Sequence, residues 1–374
     1  MNKQLNMKIL RISLAIFLAA FFTISQAKSP EFTKRELSVP PPRIIRTCCG
    51  FGAEIGVVAV PFFKKTDITS IDKMGSHKFM GGGSEENGII YTRRGGFIDL
   101  GHLRDCADWT AYLYNLIKTS QTDSKFIKME LRNEGGEKSL ELNVPANLSE
   151  EQIIELAGRI AYDLSLWHEI STWFGARYVP LVPEKFSSFS PEDMYSNLLG
   201  VHMGMRAIKN NLSYDEAMTE ELSNMLDTLQ AVKTEEETFA AMLSVNNVWY
   251  RNDIRYPKNE ITLRRYLDLE VNLTPWLIPD EECILPPYLL RIPDKKMTAY
   301  YTLALKLNYR FPVDSIFVDR TDRVVTQNDF DRFVDFIKLE VYTKALFKDK
   351  TPEKQGNKKH RKKEAKGNNA TTMK

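Results

Sequence analysis

The clearest helical pattern of apolar positions lies between Ser149 and Gly175. Apolar side chains recur there at the three- and four-residue spacing of a helix, and they leave little polar surface. Ser149 and Gln152 form a capping-box pattern at the start, and Gly175 follows the last apolar turn, which ends near Phe174. The sequence therefore predicts a central, largely buried helix.

Helical spacing also appears on both sides of this central helix. In GGFIDLGHLRDCADWTAYLYNLI, a strand and a glycine turn lead into a helix that begins near His102. Ser190, Pro191 and the two acidic residues after them are typical of a helix N-terminus, with a capping serine and a proline at the first helical position. Further helices are predicted over residues 213–232, 234–247 and 326–346.

Strand patterns flank the helices. The runs IGVVAVPFF and GIIYTRRGGFIDL are β-like, and a loop containing Gly81, Gly82 and Gly83 separates them. The stretch KFIKMELRNEGGEKSLELNVP alternates polar and apolar residues around positions 133–138, which predicts a hairpin, and residues 260–312 are richer in strand patterns. We therefore expect an α+β fold with a helix-rich centre and flanking β-hairpins.

The two ends of the chain differ from the middle. Basic residues precede a short apolar run at positions 12–24, and small residues follow where a signal peptidase reads, so residues 1–27 are predicted to be a cleaved signal peptide. We expect residues 28–45 to be an extended linker, 46–347 one globular domain or two subdomains, and the lysine-rich 348–374 a disordered basic tail. No later run is long and apolar enough for a transmembrane helix, so a periplasmic or secreted, soluble protein is expected.

Charge and cysteine content narrow the function classes. The 374 residues carry a formal net charge of +2, concentrated in the tail, so the body is mildly acidic and specific nucleic-acid binding is not expected. An even number of cysteines fits disulfides in an oxidising compartment, and their pairing stays open. No Cys-x-x-Cys pair occurs, which disfavours a cysteine zinc site. The four cysteines are Cys48, Cys49, Cys106 and Cys283.

Three histidines fall on predicted helices, in line with core-type neighbours: His102, His168 and His202. A buried imidazole needs partners for both nitrogens, because each unsatisfied buried group costs about 1 to 3 kcal/mol. Several inward-facing histidines therefore favour a shared polar site. His202, flanked by Met203 and Met205, is more typical of a core histidine than of a ligand.

One interpretation of this site is a metal centre. His102 and Asp105 lie one helical turn apart and would offer a nitrogen and an oxygen ligand, with His168 and His77 completing the set around zinc or another divalent ion. Glu169 would be the general base that activates a bound water. The word HEIST resembles the first half of His-Glu-x-x-His but has Thr172 where the second histidine would stand.

Two other interpretations remain open. Cys106, near the start of a helix, would be a thiolate nucleophile with a histidine as base, because helix N-termini lower the pKa of thiols. Alternatively, His102, Asp105, His168 and Glu169 hydrogen-bond one another and hold the helices together without any substrate. A disulfide or a buried small side chain is the simpler account of Cys106.

Five segments of the sequence resemble a known family. They are RTCCGFG, GSHKF, ENGIIYTRRGGFIDLGHLRDCADWTAYL, LWHEISTWFG and FSSFSPEDMYSNLLG. In this order they resemble a family of bacterial secreted proteins known only as a domain of unknown function, over most of residues 46–205. The resemblance implies an envelope location and no particular activity. His77, His102, Asp105, His168 and Glu169 all lie inside these segments.

Together these observations lead to one main functional expectation. We expect a metal-dependent hydrolase that acts on an unidentified envelope component, with His102, Asp105, His168 and His77 as ligands and Glu169 as base. The alternatives are a non-enzymatic binding or structural protein of the envelope, and a Cys-His hydrolase that uses Cys106.

Overall fold

The computed structural model describes residues 30, 32–42, 44–46, 50–58, 60–65, 67–123, 126–177, 183–278, 285–320 and 322–349. The predicted signal peptide, Cys48, Cys49, Cys283 and nearly all of the predicted basic tail lie outside the described residues. Among the helices that the structure describes, none combines the length and apolar character that crossing a membrane requires.

Helices and short antiparallel sheets make up the fold, which confirms the expected α+β class. The helices are α1 (Lys34–Leu37), α2 (Leu100–Asp123), α3 (Glu150–Trp173), α4 (Asp193–Lys209), α5 (Tyr214–Thr228), α6 (Glu235–Ser244), α7 (Val313–Ile316) and α8 (Phe330–Asp349). The strands are β1 (Ile55–Val57), β2 (Val60–Lys65), β3 (Ile89–Thr92), β4 (Gly96–Asp99), β5 (Ile127–Leu131), β6 (Gly136–Leu142), β7 (Asn272–Leu273), β8 (Leu290–Arg291), β9 (Tyr301–Leu307) and β10 (Val324–Val325).

Of the sheets that the structure describes, the largest has four strands in the order β10-β9-β6-β5, and neighbouring strands in it are antiparallel. Strands β5 and β6 form the predicted hairpin, and its turn contains Gly135 with a φ of +76°. A side chain is disfavoured at that φ, and an added Cβ would also lie 2.8 Å from the ring of Phe311. The shape of this turn therefore depends on glycine.

Helices α2, α3 and α4 pack against one another in the centre of the first unit. Gly200 and Gly204 on α4 allow its backbone to approach α2 closely, since a Cβ on Gly200 would lie 1.9 Å from the carbonyl oxygen of Leu103. Gly158 of α3 faces Met205 of α4, whose sulfur would lie 2.6 Å from an added Cβ. Small residues thus set the spacing of these three helices.

The signals for α3 and α4 differ in how well they predicted the helix starts. Ser149 and Gln152 form the predicted capping box of α3, and Gly175 follows its end with a φ of +89°. Helix α4 begins at Asp193, later than predicted, and Ser190 does not cap its backbone. The Ser190 hydroxyl instead contacts the carboxyl groups of Glu192 and Asp193 at 2.9 and 2.8 Å.

The structure packs the segment predicted to be a linker against α2. Its short helix α1 has a capping box formed by Thr33 and Glu36. The Tyr112 hydroxyl donates to the carbonyl oxygen of Leu37 at 2.6 Å, and the Trp109 indole donates to that of Pro42 at 3.2 Å. The segment covers aromatic side chains of α2, a long-range contact that charge alternation in the sequence does not reveal.

Residues 260–312 contain less strand than predicted, because most hydrogen bonds of the stretch ITLRRYLDLEVNL go singly to loops. Leu263 N donates to Trp249 O, and Tyr266 N donates to Phe189 O, both at 2.8 Å. The first contact joins the stretch to the segment after α6, and the second joins it to the segment before α4. In the described chain, this stretch contributes a strand only at its last two residues, Asn272–Leu273, which form β7 and pair with β8.

The chain divides into two units, residues 1–334 and 335–374. The first unit ends within α8. The described part of the second unit is the remainder of that helix, residues 335–349.

Candidate metal centre

His102 lies in the first turn of α2, directly after strand β4. Asp99, the last residue of β4, caps the helix: its Oδ1 accepts from the backbone N–H groups of Gly101 and His102 at 2.8 and 3.1 Å. Its other oxygen, Oδ2, lies 3.0 Å from Nδ1 of the His102 ring. Burial acts to raise the pKa of Asp99, but the contacts with His102 outweigh burial and hold this pKa below its usual value. The capping residue thus also orients the imidazole.

His168 lies in the second half of α3 and meets the turn between β5 and β6. Its Nδ1 lies 2.6 Å from Oε1 of Glu134, and Oε2 of the same carboxylate accepts from Lys138 Nζ at 2.5 Å. The indole of Trp167 also donates to the Glu134 carbonyl oxygen, at 2.9 Å. Because the side chains of Glu134 and Lys138 are each only 2 % exposed, this charged pair is part of the protein interior.

Glu169, the next residue of α3, is anchored from the segment before α4. Its Oε2 accepts from the backbone N–H of Phe189 at 2.7 Å, and its carbonyl oxygen accepts from the Ser188 hydroxyl. Phe189 is fully buried and has a φ of +53°, a conformation that costs free energy for a residue other than glycine. The local backbone conformation therefore holds a donor against the Glu169 carboxylate.

Ring nitrogens of His102 and His168 and a carboxylate oxygen of Glu169 converge, and these three atoms lie within 4.8 Å of one another. The three residues are 7 %, 6 % and 2 % exposed. Each imidazole has a buried carboxylate beside Nδ1, which favours the tautomer with its proton on Nδ1 and its lone pair on Nε2. The cluster thus offers two imidazole nitrogens and one carboxylate oxygen.

Further acidic groups lie close to His102. Asp193 Oδ1 is 3.7 Å from its Nδ1, and Glu192 shares the Ser190 hydroxyl with Asp193. Burial raises the pKa of Glu192 well above its usual range, and the charges of Asp193 and Asp99 raise it further. Burial also raises the pKa of Asp193, although His102 and Ser190 oppose this. A cation bound here would stabilise the ionised form of these carboxyl groups.

The basic residue Arg265 belongs to the same surroundings. Its guanidinium donates to the carbonyl oxygens of Phe186 and Ser188 at 2.7 and 2.5 Å, so it holds the segment that precedes α4. Burial lowers the pKa of Arg265 to about 10, against the opposing effect of nearby carboxylates such as Asp193. Arg265 therefore offsets part of the negative charge around the cluster.

Asp105 and His77, two predicted ligands, lie in a different cluster. Asp105 Oδ2 accepts from the backbone N–H groups of Ile45 and Arg46, and its Oδ1 accepts from the Arg46 guanidinium at 2.9 Å. His77 Nε2 lies 3.0 Å from Oδ1 of Asp108. Within the described part of the chain, neither joins the donors that converge with His102. Residues three positions apart differ by about 60° around a helix, which is enough for His102 and Asp105 to face different neighbours.

Arg46 is the centre of this second cluster, which we call the Arg46 network. Its guanidinium pairs with both carboxylate oxygens of Glu85 at 2.6 and 2.7 Å, and with Asp108 at 3.0 Å. Burial acts to raise the pKa of Glu85, but the hydrogen bonds and charge of Arg46 lower it to about 2. The network joins the N-terminal segment, the glycine-rich loop and α2, and its dense mutual pairing indicates a structural role.

Cys106 and His202 also have local partners. Cys106 is 2 % exposed, and its Sγ donates to Oδ1 of Asn197 on α4 at 3.2 Å. A thiol that donates a hydrogen bond is in its neutral form, which does not favour a thiolate nucleophile. His202 Nε2 lies 2.7 Å from the carbonyl oxygen of Arg291. The other three cysteines lie outside the described residues.

Sequence reasoning missed the two carboxylates that orient the histidines. Asp99 carried a recognisable signal, since an aspartate directly before a helix start is a common capping residue. Glu134 lies 34 positions before His168 in a hairpin turn, and its sequence surroundings predict only a solvated turn residue. For Glu192 and Asp193 the sequence predicts only acidic residues at a helix N-terminus and does not indicate that they lie near His102.

The fold and this cluster define an α+β protein with a buried His-His-Glu centre on two packed helices. The family described as "Protein of unknown function (DUF4056)" matches residues 36–279, well over half of the chain, and the chain belongs to this family. The matched region contains the three residues of the cluster and both orienting carboxylates. No curated protein and no solved structure matches the chain.

Proposed function

We propose that the protein binds a divalent metal ion of the zinc class through His102, His168 and Glu169, and that it uses this ion to hydrolyse a component of the cell envelope. The observation that carries the proposal is the convergence of two imidazoles and one carboxylate within 4.8 Å, with a buried carboxylate behind each imidazole. Histidine ligands of metals commonly donate their second ring N–H to such a carboxylate.

The donor set fits a catalytic site better than a closed structural one. Two histidines and one glutamate form a known ligand set of catalytic zinc, in which water or substrate takes the fourth position. An ion about 2.0 to 2.2 Å from each donor requires the donor atoms to be about 3 to 4 Å apart. Side-chain movements of less than about 1 Å would therefore bring the three donor atoms to that spacing. Asp99 and Glu134 would fix the rings during that adjustment.

The proposed chemistry is activation of water. Zinc lowers the pKa of a bound water to about 7, which supplies hydroxide at neutral pH. The sequence suggested Glu169 as the base, but its carboxylate is grouped with the two imidazoles, so we propose it as the third ligand. Within the described chain, Asp105 and His77 are left out of the ligand set because Arg46 and Asp108 already hold them.

The envelope location in this proposal comes from the sequence. A basic, then apolar, then small-residue pattern over residues 1–27 supports export, and the family resemblance points the same way. A substrate in the envelope follows from that location.

Metal analysis and an activity assay test the proposal. Purified full-length protein should hold one zinc-class ion per chain, and His102→Ala or His168→Ala should abolish this binding while His202→Ala, at an imidazole bound to a carbonyl group, retains it. Hydrolysis of isolated envelope fractions should stop after chelation and return with added zinc. No bound metal together with a large loss of melting temperature in His168→Ala would instead support the structural alternative.

A further inference from the structure

A cleft of about 510 Å³ lies beside the turn that holds His168. Among the described residues, its walls are formed by the β5–β6 turn, the chain that follows α3, and the end of β9 with the chain that follows it. Polar side chains dominate the lining, and the cationic and amide groups among them are Arg132, Asn133, Arg177, Lys306, Asn308 and Arg310.

The lining of the cleft is positively charged. Its four cationic side chains face only two carboxylates among the described lining residues, Glu134 and Glu137. The charge of Glu134 is already met by the buried Lys138, at 2.5 Å, and Glu137 is paired with Lys306 at 3.3 Å. Both members of the second pair are exposed, so water and salt screen it strongly. An anion in the cleft would therefore meet a net positive potential.

The walls of the cleft are held in place without a ligand. The Arg310 guanidinium donates to the carbonyl oxygen of Gly175 at 2.7 Å and so ties the chain after β9 to the end of α3. Asn308 N donates to the carbonyl oxygen of Gly135 at 3.0 Å, which ties the same segment to the β5–β6 turn. A site that is already shaped loses less conformational entropy when a ligand binds.

We propose that this cleft binds a ligand through a phosphate group. Guanidinium groups match phosphate oxygens with paired hydrogen bonds, and three of the four cations are arginines. The volume lies in the range that holds a small phosphorylated molecule or the head group of a phospholipid. The site is separate from the proposed metal centre, and Glu134 is the residue that both share.

Binding measurements with defined phosphate compounds test this proposal. Titration of the full chain with glycerol phosphate in low salt should show saturable binding at one site per chain. The double variant R177Q/K306Q should weaken this binding at least tenfold, while the control R35Q/K209Q, at two exposed cations outside the cleft, should leave it unchanged. Equal melting temperatures of the two variants would show that the fold is preserved.

Two further comparisons identify the source of the phosphate and separate the two sites. Binding to vesicles that contain phosphatidylglycerol, but not to vesicles of phosphatidylcholine alone, would identify a lipid head group as the ligand. Binding of glycerol phosphate without binding to either vesicle would identify a free phosphorylated molecule. Binding that persists in His102→Ala and weakens in R177Q/K306Q places the phosphate in the cleft, whatever becomes of the metal proposal. Three results would overturn the proposal. They are no saturable binding of either probe, equal weakening of binding in R177Q/K306Q and in the control R35Q/K209Q, and binding that is lost in His102→Ala but kept in R177Q/K306Q.

Discussion

Glu134 Oε1 lies 2.6 Å from His168 Nδ1, although 34 positions separate the two residues in the chain. The contact joins the four-stranded sheet to the helix that carries two of the three proposed ligands. Asp99 has the same relationship to His102 on the other ligand-bearing helix, at 3.0 Å. Both imidazoles are thus oriented by carboxylates from outside their own helices, and the proposed function depends on this arrangement.

The substitution Asp99→Asn should weaken zinc binding roughly 10- to 100-fold, the range for lost outer-shell partners. Asparagine still caps a helix, so α2 should remain. Its amide N–H₂ group would, however, face Nδ1 of His102 and favour the tautomer that protonates Nε2. Zinc titration by calorimetry measures the effect. The matched control is Asp105→Asn, on the same helix but within the Arg46 network, which should lower stability and leave zinc affinity unchanged.

The substitution Glu169→Gln separates a ligand from a base. If Glu169 is the third ligand, this variant should lose at least tenfold in zinc affinity, because a neutral amide is a weaker ligand than a carboxylate. If Glu169 is only the base, bound zinc stays at one ion per chain and hydrolysis alone is lost. Metal content and zinc titration, measured together on the same preparation, decide between the two roles.

Glu85, through its pairing with Arg46, should make stability sensitive to acid below pH 4.5. The pKa of Glu85 is lowered to about 2 from an ordinary value of 4.5, so its contribution is fully present above pH 4.5 and is lost as the pH falls towards 2. This contribution is at most about 3 kcal/mol. Denaturant unfolding at several pH values should show a flatter dependence in this window for Glu85→Gln than for the wild type. Equal slopes would contradict this role for Glu85.

The substitution Gly200→Ala should destabilise the protein by about 1 to 3 kcal/mol, the usual cost of overpacking a tight interface. The added Cβ would lie 1.9 Å from the carbonyl oxygen of Leu103, so α2 and α4 must move apart. Gly83→Ala is the control, because its Cβ would lie more than 4 Å from other described atoms, and it should change stability by less than about 0.5 kcal/mol. A melting temperature for Gly200→Ala equal to that of the wild type would argue against close helix contact.

The parts of the fold that could be predicted are those that local pattern determines. The capping box at Ser149, the turn at Gly135 and the inward-facing positions of His102 and His168 all follow from neighbours within a few residues. Spacing along a helix does not specify which neighbour a side chain meets across an interface. For that reason Asp105 looked equivalent to His102, since nothing near it in the sequence pointed to Arg46, 59 positions earlier.

The glycines of α4 also limit which substitutions the helix interface near His102 can accept. The α4 backbone lies against the carbonyl oxygens of Leu103 and Ala107, so a Cβ at Gly200 or Gly204 would lie 1.9 or 2.8 Å from them. Variation in the surroundings of the His102–His168–Glu169 cluster must therefore come from other segments, such as residues 186–190, which Arg265 holds in place. Attempts to alter the ligand preference of the proposed centre should begin with that segment and leave these two glycines unchanged.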